Sequence, residues 1–234
     1  MSISSSDLEL AIQPAYNIEN DKIEYAEVLI RRLRDISGAL RILKEVSSKN
    51  EEAEFDLAVL EKSLKYLSEI RPDYKIGVNI MGATLEYPDI SSKIICLINQ
   101  YNAKESLIIE INEETDFTSE TVINNIKSLH NAGIKLALDD FGSSKANLNA
   151  LILDNKNLFD IIKVDKIFID DIDKGIKAKT DVLNILQLIC RYTNTSSIVE
   201  GVETEKQLEI IKAIGFNTVQ GFLFYKPSIL YRLQ

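Results

Sequence analysis

Residues 8–31 read LELAIQPAYN-IENDK-IEYAEVLIR, two strand-forming runs joined by only Ile18, Glu19, Asn20, Asp21 and Lys22. A crossover between parallel strands needs about a dozen residues or more, so this link closes a hairpin and the first two strands run antiparallel. The rest of the chain obeys a different rule. Further strands read at 75–80, 106–112, 135–140, 159–166, 196–202 and 218–222, most of them rich in Ile, Val and Leu, as suits a parallel sheet covered on both faces. Helical stretches fall near 51–70, 88–101, 118–131, 144–153, 174–193 and 204–214. Thr118, Ser119 and Glu120 open one helix, which stops before Gly133; Thr204, followed by Glu205 and Gln207, caps another that ends near Gly215. Eight strands alternating with helices predict an α/β fold, a (β/α)8 TIM-type barrel variant whose first strand is antiparallel, with residues 1–234 forming one domain.

Most strands deliver a polar residue at or near their end. The densest case is Leu136-Ala137-Leu138-Asp139-Asp140-Phe141-Gly142, where two adjacent carboxylates close an apolar run. Others are Glu27 in IEYAEVLIR, Asn79 in KIGVNI, Glu110 in SLIIEIN, Lys163 and Asp165 in DIIKVDK, Glu200 and Glu203 in SIVEGVE, and Gln220 in TVQGF. Buried carboxylates are tolerated when paired, hydrogen-bonded or bound to metal. Parallel barrels carry functional residues at the carboxyl ends of several strands, so these groups converge on one mouth. Oxygen donors of this kind suit hard divalent cations, and adjacent carboxylates can hold two ions with one side chain bridging. Two such ions can clamp the attacking and leaving oxygens of a phosphodiester, with Lys163 beside them to orient the nucleophile or neutralise phosphoryl charge. The residues alone thus point to metal-assisted phosphoester hydrolysis.

Composition excludes several other classes. The net charge of −9 argues against a DNA or RNA polymer as partner. His130 is the only histidine, which removes His-rich zinc sites and Ser-His-Asp catalysis; before Asn131-Ala132-Gly133 it reads as a helix-end residue. Neither GxGxxG nor GxxxxGK[ST] occurs. No apolar run approaches the roughly 18–20 residues of a membrane span. MSISSSDLELAIQP lacks the pattern of a signal peptide, and Cys96 and Cys190 stand far apart. The expectation is therefore a cytoplasmic protein with reduced thiols and no membrane partner.

In their order, EVL at Glu27-Val28-Leu29, GVNI, IIEINEE, LDDFG, IKVDKIFI, VEGVET and QGFLFYKP resemble the motifs of the EAL domain family, the cyclic-di-GMP phosphodiesterases, over essentially the whole chain. Valine replaces the alanine of the tripeptide that names the family. The resemblance implies hydrolysis of cyclic-di-GMP to linear pGpG in bacterial second-messenger signalling, with two Mg²⁺ or Mn²⁺ ions. It implies that Glu27, Asn79, Glu110 and Asp139 ligate the first ion, that Asp139 bridges to the second, and that Asp140 and Glu200 hold that second ion. Lys163 would contact the nucleophilic water or a metal-bound oxygen, making Glu27, Lys163, Asp140 and Glu200 the catalytic group. Gln13, Leu29, Arg31 and Gln220 would line the substrate cleft, Arg31 meeting a phosphate or a guanine edge with its planar fork of donors. Glu113, Glu203, Asp165 and Ser143 would support the loops around them. The family also implies a homodimer through the helices near the barrel mouth.

Other readings compete at single positions. Glu27 also suits an edge strand, and Asn79 a strand-end turn. Asp139-Asp140 before Phe-Gly also starts turns, Glu203 also suits the acidic start of a helix, and Lys163 with Asp165 also suits a structural pair on one strand face. One segment departs from the family. After DDFG the chain has Ser143-Ser144-Lys145-Ala146-Asn147, with Ser144 in place of a glycine and Lys145 in place of an aromatic residue. Arg32 stands where the family has tryptophan. The altered loop from Ser143 to Asn147 motivates an alternative, a degenerate EAL domain that binds cyclic-di-GMP, or acts through protein contacts, without useful hydrolysis.

Overall fold

The computed structural model describes residues 8–32, 49–143, 150–151 and 158–229. The helix expected at 144–153 falls outside them except for Ala150 and Leu151, and so does the departing loop beyond Ser143.

The hairpin forms as its short link requires. β1 (Leu8–Asn17) and β2 (Lys22–Arg32) pair antiparallel, from Leu8 opposite Arg32 to Asn17 opposite Lys22. Asn17 makes the turn, its Oδ1 accepting from the N–H of Glu19 at 2.9 Å and of Asn20 at 3.2 Å. A side-chain oxygen that satisfies the next backbone donors is the usual reason for asparagine at such a site. From β2 onward the strands are parallel: β3 (Lys75–Ile80), β4 (Leu107–Asn112), β5 (Lys135–Phe141), β6 (Ile161–Val164), β7 (Ser196–Val199) and β8 (Thr218–Gln220). β1 pairs with β8 on one side and β2 on the other, which closes an eight-stranded barrel with one reversed strand. A short β9 (Ser228–Ile229), not anticipated from the sequence, adds to β1 at Ala11 and Ile12. β6 and β7 are shorter than read, because the chain leaves the sheet at the mouth, where the polar residues stand.

Six helices are described: α1 (Lys49–Ile70), α2 (Gly82–Leu85), α3 (Ile90–Gln100), α4 (Glu120–Asn131), α5 (Lys177–Thr193) and α6 (Glu205–Ile214). Ser119 caps α4, and Thr204 with Gln207 forms a reciprocal capping box on α6. None of the described helices is long and apolar enough to cross a membrane.

Strand alternation splits the apolar residues into two cores. The outward set, including Ile76, Val78, Leu107, Ile109, Leu136, Leu138, Ile162, Val164 and Val199, packs against Leu60, Leu64, Ile94, Ile126, Leu183 and Ile211 of the helices. The inward set is small: Ala15, Tyr25, Ile108, Ala137 and Ile198, with Ile161 against them. It floors the lumen across its lower part. Each large side chain fully buried in the outer core contributes about 1.5–3 kcal/mol, so the fold rests on that layer and leaves the top of the lumen free for polar groups.

Asp56 ties a helix to that mouth. It is buried on α1, and its Oδ2 accepts from the N–H of Met81 at 2.7 Å, two residues beyond Asn79. Burial pushes its carboxyl up to about 7 from the ordinary 3.8. A carboxyl raised in the fold contributes stability that is complete below about pH 3.8 and lost as pH rises through about 7. Asp56→Asn keeps the acceptor without the charge, so its thermal stability should fall less than that of the parent between pH 5 and 8. Melting curves at the two pH values, followed by circular dichroism, check this.

Candidate active site

One step of two residues above the floor, every barrel strand presents a polar side chain. Gln13 follows from Ala15 on the reversed β1, Glu27 from Tyr25, Asn79 from Gly77, Glu110 from Ile108, Asp139 from Ala137, Lys163 from Ile161, Glu200 from Ile198 and Gln220 from Thr218. The ring is therefore a consequence of register.

Lys163 occupies its centre. The Nζ lies 2.7 Å from Asp139 Oδ1, 2.9 Å from Glu200 Oε1, 3.0 Å from Glu110 Oε2 and 3.2 Å from Glu27 Oε2. Asn79 Nδ2 donates to Glu110 Oε2 at 3.1 Å and to Glu27 Oε1 at 3.4 Å. Gln220 Nε2 donates to Glu27 Oε2 at 3.1 Å and to the carbonyl of Gln13 at 3.3 Å. Gln220 is thus buried and turned onto Glu27.

Two consecutive aspartates would normally face opposite sides of a strand. β5 breaks that rule: its pairing with β6 shifts register between Leu138 and Phe141, and Asp140 takes a left-handed φ of 54°. Such bulges re-aim side chains next to functional sites. Asn112 holds the result, its Nδ2 donating to Asp140 Oδ2 at 2.7 Å. Gly142 follows with φ +92°, and a Cβ there would stand 2.2 Å from the ring of Phe168. Glu113 secures the turn, accepting from the Gly142 N–H at 2.9 Å and from Ser143 Oγ at 3.0 Å.

The remaining anticipated residues scatter. Leu29 and Arg31 lie half-buried farther along β2, with Arg31 Nη1 donating to the carbonyl of Ile30 at 2.9 Å. Gln13 Nε2 reaches the carbonyl of Tyr225 at 3.3 Å. Asp165 lies beyond the end of β6 and caps a 3-10 turn (Lys166–Phe168) by accepting from the Ile167 N–H at 2.7 Å, so the structural pair with Lys163 does not form. Glu203 is exposed, and its backbone N–H donates to Gln207 Oε1. Asn112 was missed by sequence reading, although it follows Glu110 at period two.

One ammonium faces four carboxylates, with Asp140 beside them. Burial pushes Glu110 up to about 7 against the pull of Lys163, and burial and then Asp139 push Asp140 up to about 6. Burial likewise raises Glu200. Burial alone would discharge Lys163, but the carboxylates led by Asp139 and Glu110 outweigh it and hold the ammonium charged. The cage has a surplus of negative charge that further cations would relieve. Its oxygens form two overlapping groups, Glu27 with Glu110 and Asp139, and Asp139 with Asp140 and Glu200, each with its ligand atoms within 4.8 Å of one another. All-oxygen donors sharing one carboxylate fit a pair of hard divalent ions.

The chain matches the model of the EAL domain over residues 1–227. It is 34% identical over 235 residues to a probable cyclic di-GMP phosphodiesterase, PdeA, of Escherichia coli strain K12. That alignment takes in 97% of this chain and 31% of the relative, so the chain spans about a third of that protein's length. Among solved structures it is similar to the PaMucR phosphodiesterase in complex with c-di-GMP, with a TM-score of 0.87 and 22% identity over 97% of this chain and all of the other. It is also similar to Klebsiella pneumoniae BlrP1 with manganese and cyclic-di-GMP, with a TM-score of 0.86 and 22% identity over 98% of this chain and 58% of the other.

The cage predicts its own dependence on Lys163. In metal-free protein at pH 8, Lys163→Met should destabilise the fold by about 3–5 kcal/mol, the usual result of leaving buried charge uncompensated. The deficit should shrink towards pH 5, as Glu110 and Asp140 take up protons below about 7 and about 6. Denaturant unfolding in EDTA at both pH values measures it.

Proposed function

The chain belongs to the EAL domain family, and on that premise we propose that it hydrolyses cyclic-di-GMP to linear pGpG with two Mg²⁺ or Mn²⁺ ions. One observation carries the reading: Lys163 stands within 3.2 Å of carboxylates from Glu27, Glu110 and Asp139, on three strands, and from Glu200, just past the end of β7. A barrel built only to be stable gains nothing from such a surplus of buried charge.

Glu27, Asn79, Glu110 and Asp139 would hold one ion, and Asp139, Asp140 and Glu200 the other. Bound divalent ions supply Lewis acidity, lowering the pKa of a water and neutralising phosphoryl charge. The protein's own groups do the remaining work. Lys163 keeps its proton, so it donates hydrogen bonds and orients a water without competing for the water's proton. Asn79 and Gln220 hold Glu27 and Glu110 from the side, which spares them reorganisation when charge develops at the phosphorus. Arg31, Leu29 and Gln13 would line the substrate cleft, where a guanidinium fork can take a phosphate or a guanine edge. Glu113 and Ser143 fix the turn after Asp140. Hydrolysis breaks one P–O bond of the ring and adds water across it, leaving a terminal phosphate and a hydroxyl. Assembly as a homodimer through the helices near the mouth belongs to the same proposal.

Pure protein incubated with cyclic-di-GMP and Mn²⁺ should yield pGpG by chromatography, with none formed in EDTA. Glu27→Ala should lower kcat by about 100-fold or more, as removal of a group acting on the developing charge does elsewhere. Absence of product at high enzyme concentration, with nucleotide still bound, would overturn hydrolysis in favour of a receptor. A second outcome tests the anchoring of the bulge: Asn112→Ala should reduce activity about 10–100-fold, partly recovered at higher Mn²⁺. A Mn²⁺ titration of the initial rate reads that recovery.

A further inference from the structure

Beneath the cage, Tyr25 carries a buried hydroxyl into the barrel lumen. Its ring belongs to the floor of the lumen with Ala15, Ile108, Ala137 and Ile198. Below that floor, at the opposite end of the barrel from the carboxylates, lies a cavity of about 1150 Å³ lined by Tyr25, Ile108 and Ile198 together with Lys75, Asp160 and Arg191. Tyr25 thus separates this space from the acidic groups above.

Its hydroxyl lies beside one of them. A Cβ on Gly77 would stand 1.8 Å from Tyr25 Oη and 1.8 Å from Glu110 Oε1, so the two oxygens lie at most twice that distance apart, in the space the glycine leaves. Both atoms are buried, and neither has a hydrogen-bond partner among the described residues. One is a donor and the other an acceptor. Glu110 Oε2 is already committed to Lys163 and Asn79. We propose that Tyr25 is a positioning residue: its O–H donates to Glu110 Oε1 and fixes the plane of that carboxylate, so that Oε2 faces the cage. Gly77 is the opening that lets the two meet. The proposal rests on the reading of the cage as a metal centre. Partners of this kind behind a ligating carboxylate commonly tune metal affinity 10–100-fold.

The test is calorimetric titration of the whole chain with Mn²⁺ alone, without nucleotide. Tyr25→Phe keeps the ring and removes only the hydroxyl. It should bind Mn²⁺ about tenfold more weakly than the parent, and the metal-free melting temperature should also fall, because a buried carboxylate oxygen loses its donor. Ile108→Val trims the same floor without touching Glu110, and should lower the melting temperature while leaving Mn²⁺ affinity as it was. A Tyr25→Phe variant that binds Mn²⁺ like the parent overturns the proposal, as does an equal loss of affinity in Ile108→Val. If the parent itself binds no Mn²⁺, the metal reading falls first and this inference with it.

Discussion

A lysine ammonium held by four carboxylates in a barrel lumen is the constraint on which the upper half of this structure depends. Lys163 cannot leave without exposing Glu27, Glu110, Asp139 and Glu200 to one another, and none of them can leave without weakening the reason for its charge. The balance remains acidic, and burial, with Asp139 adding to it, drives Glu110 and Asp140 towards neutral pH. A site with surplus negative charge, oxygen donors only and one fixed cation could hold divalent ions.

The fold supplies what that arrangement needs. An outer core of Ile, Leu and Val carries most of the burial, so the lumen is free to be polar above a thin apolar floor. Register places one polar residue per strand a single step above that floor. The shift in β5 and the left-handed Asp140 then add a ninth group, held by Asn112. Local backbone strain appears at the position where two adjacent carboxylates must serve one site, which fits the cost that functional geometry imposes on a strand.

Much of this was legible in the residues. The five-residue link predicts the hairpin, and Asn17 closes it. Ile108, Ile109 and Ile111 around Glu110 mark a buried strand carrying a charge, and the structure places that carboxylate against Lys163 and Asn79. Thr204 and Gln207 announce their capping box. Other features were not legible, because they depend on contacts between residues distant in sequence. Asp165 sits two residues from Lys163 and suits a pair with it, yet the strand ends between them and Asp165 caps a turn instead. Gln220 reads as a cleft residue, and only closure of β8 onto β1 turns it towards Glu27.

By itself, the sequence determined the order of the eight barrel strands, the reversed first strand, and which residue of each strand interrupts its apolar run, since these follow from period, link length and residue type. The tertiary structure alone decided which oxygens meet. Alternation along a strand is a local property, but the height at which eight strands close is a property of the whole barrel. That height sets Lys163 among four carboxylates, brings Asp140 round to the side of Asp139, and leaves above Gly77 the gap into which Tyr25 and Glu110 both reach.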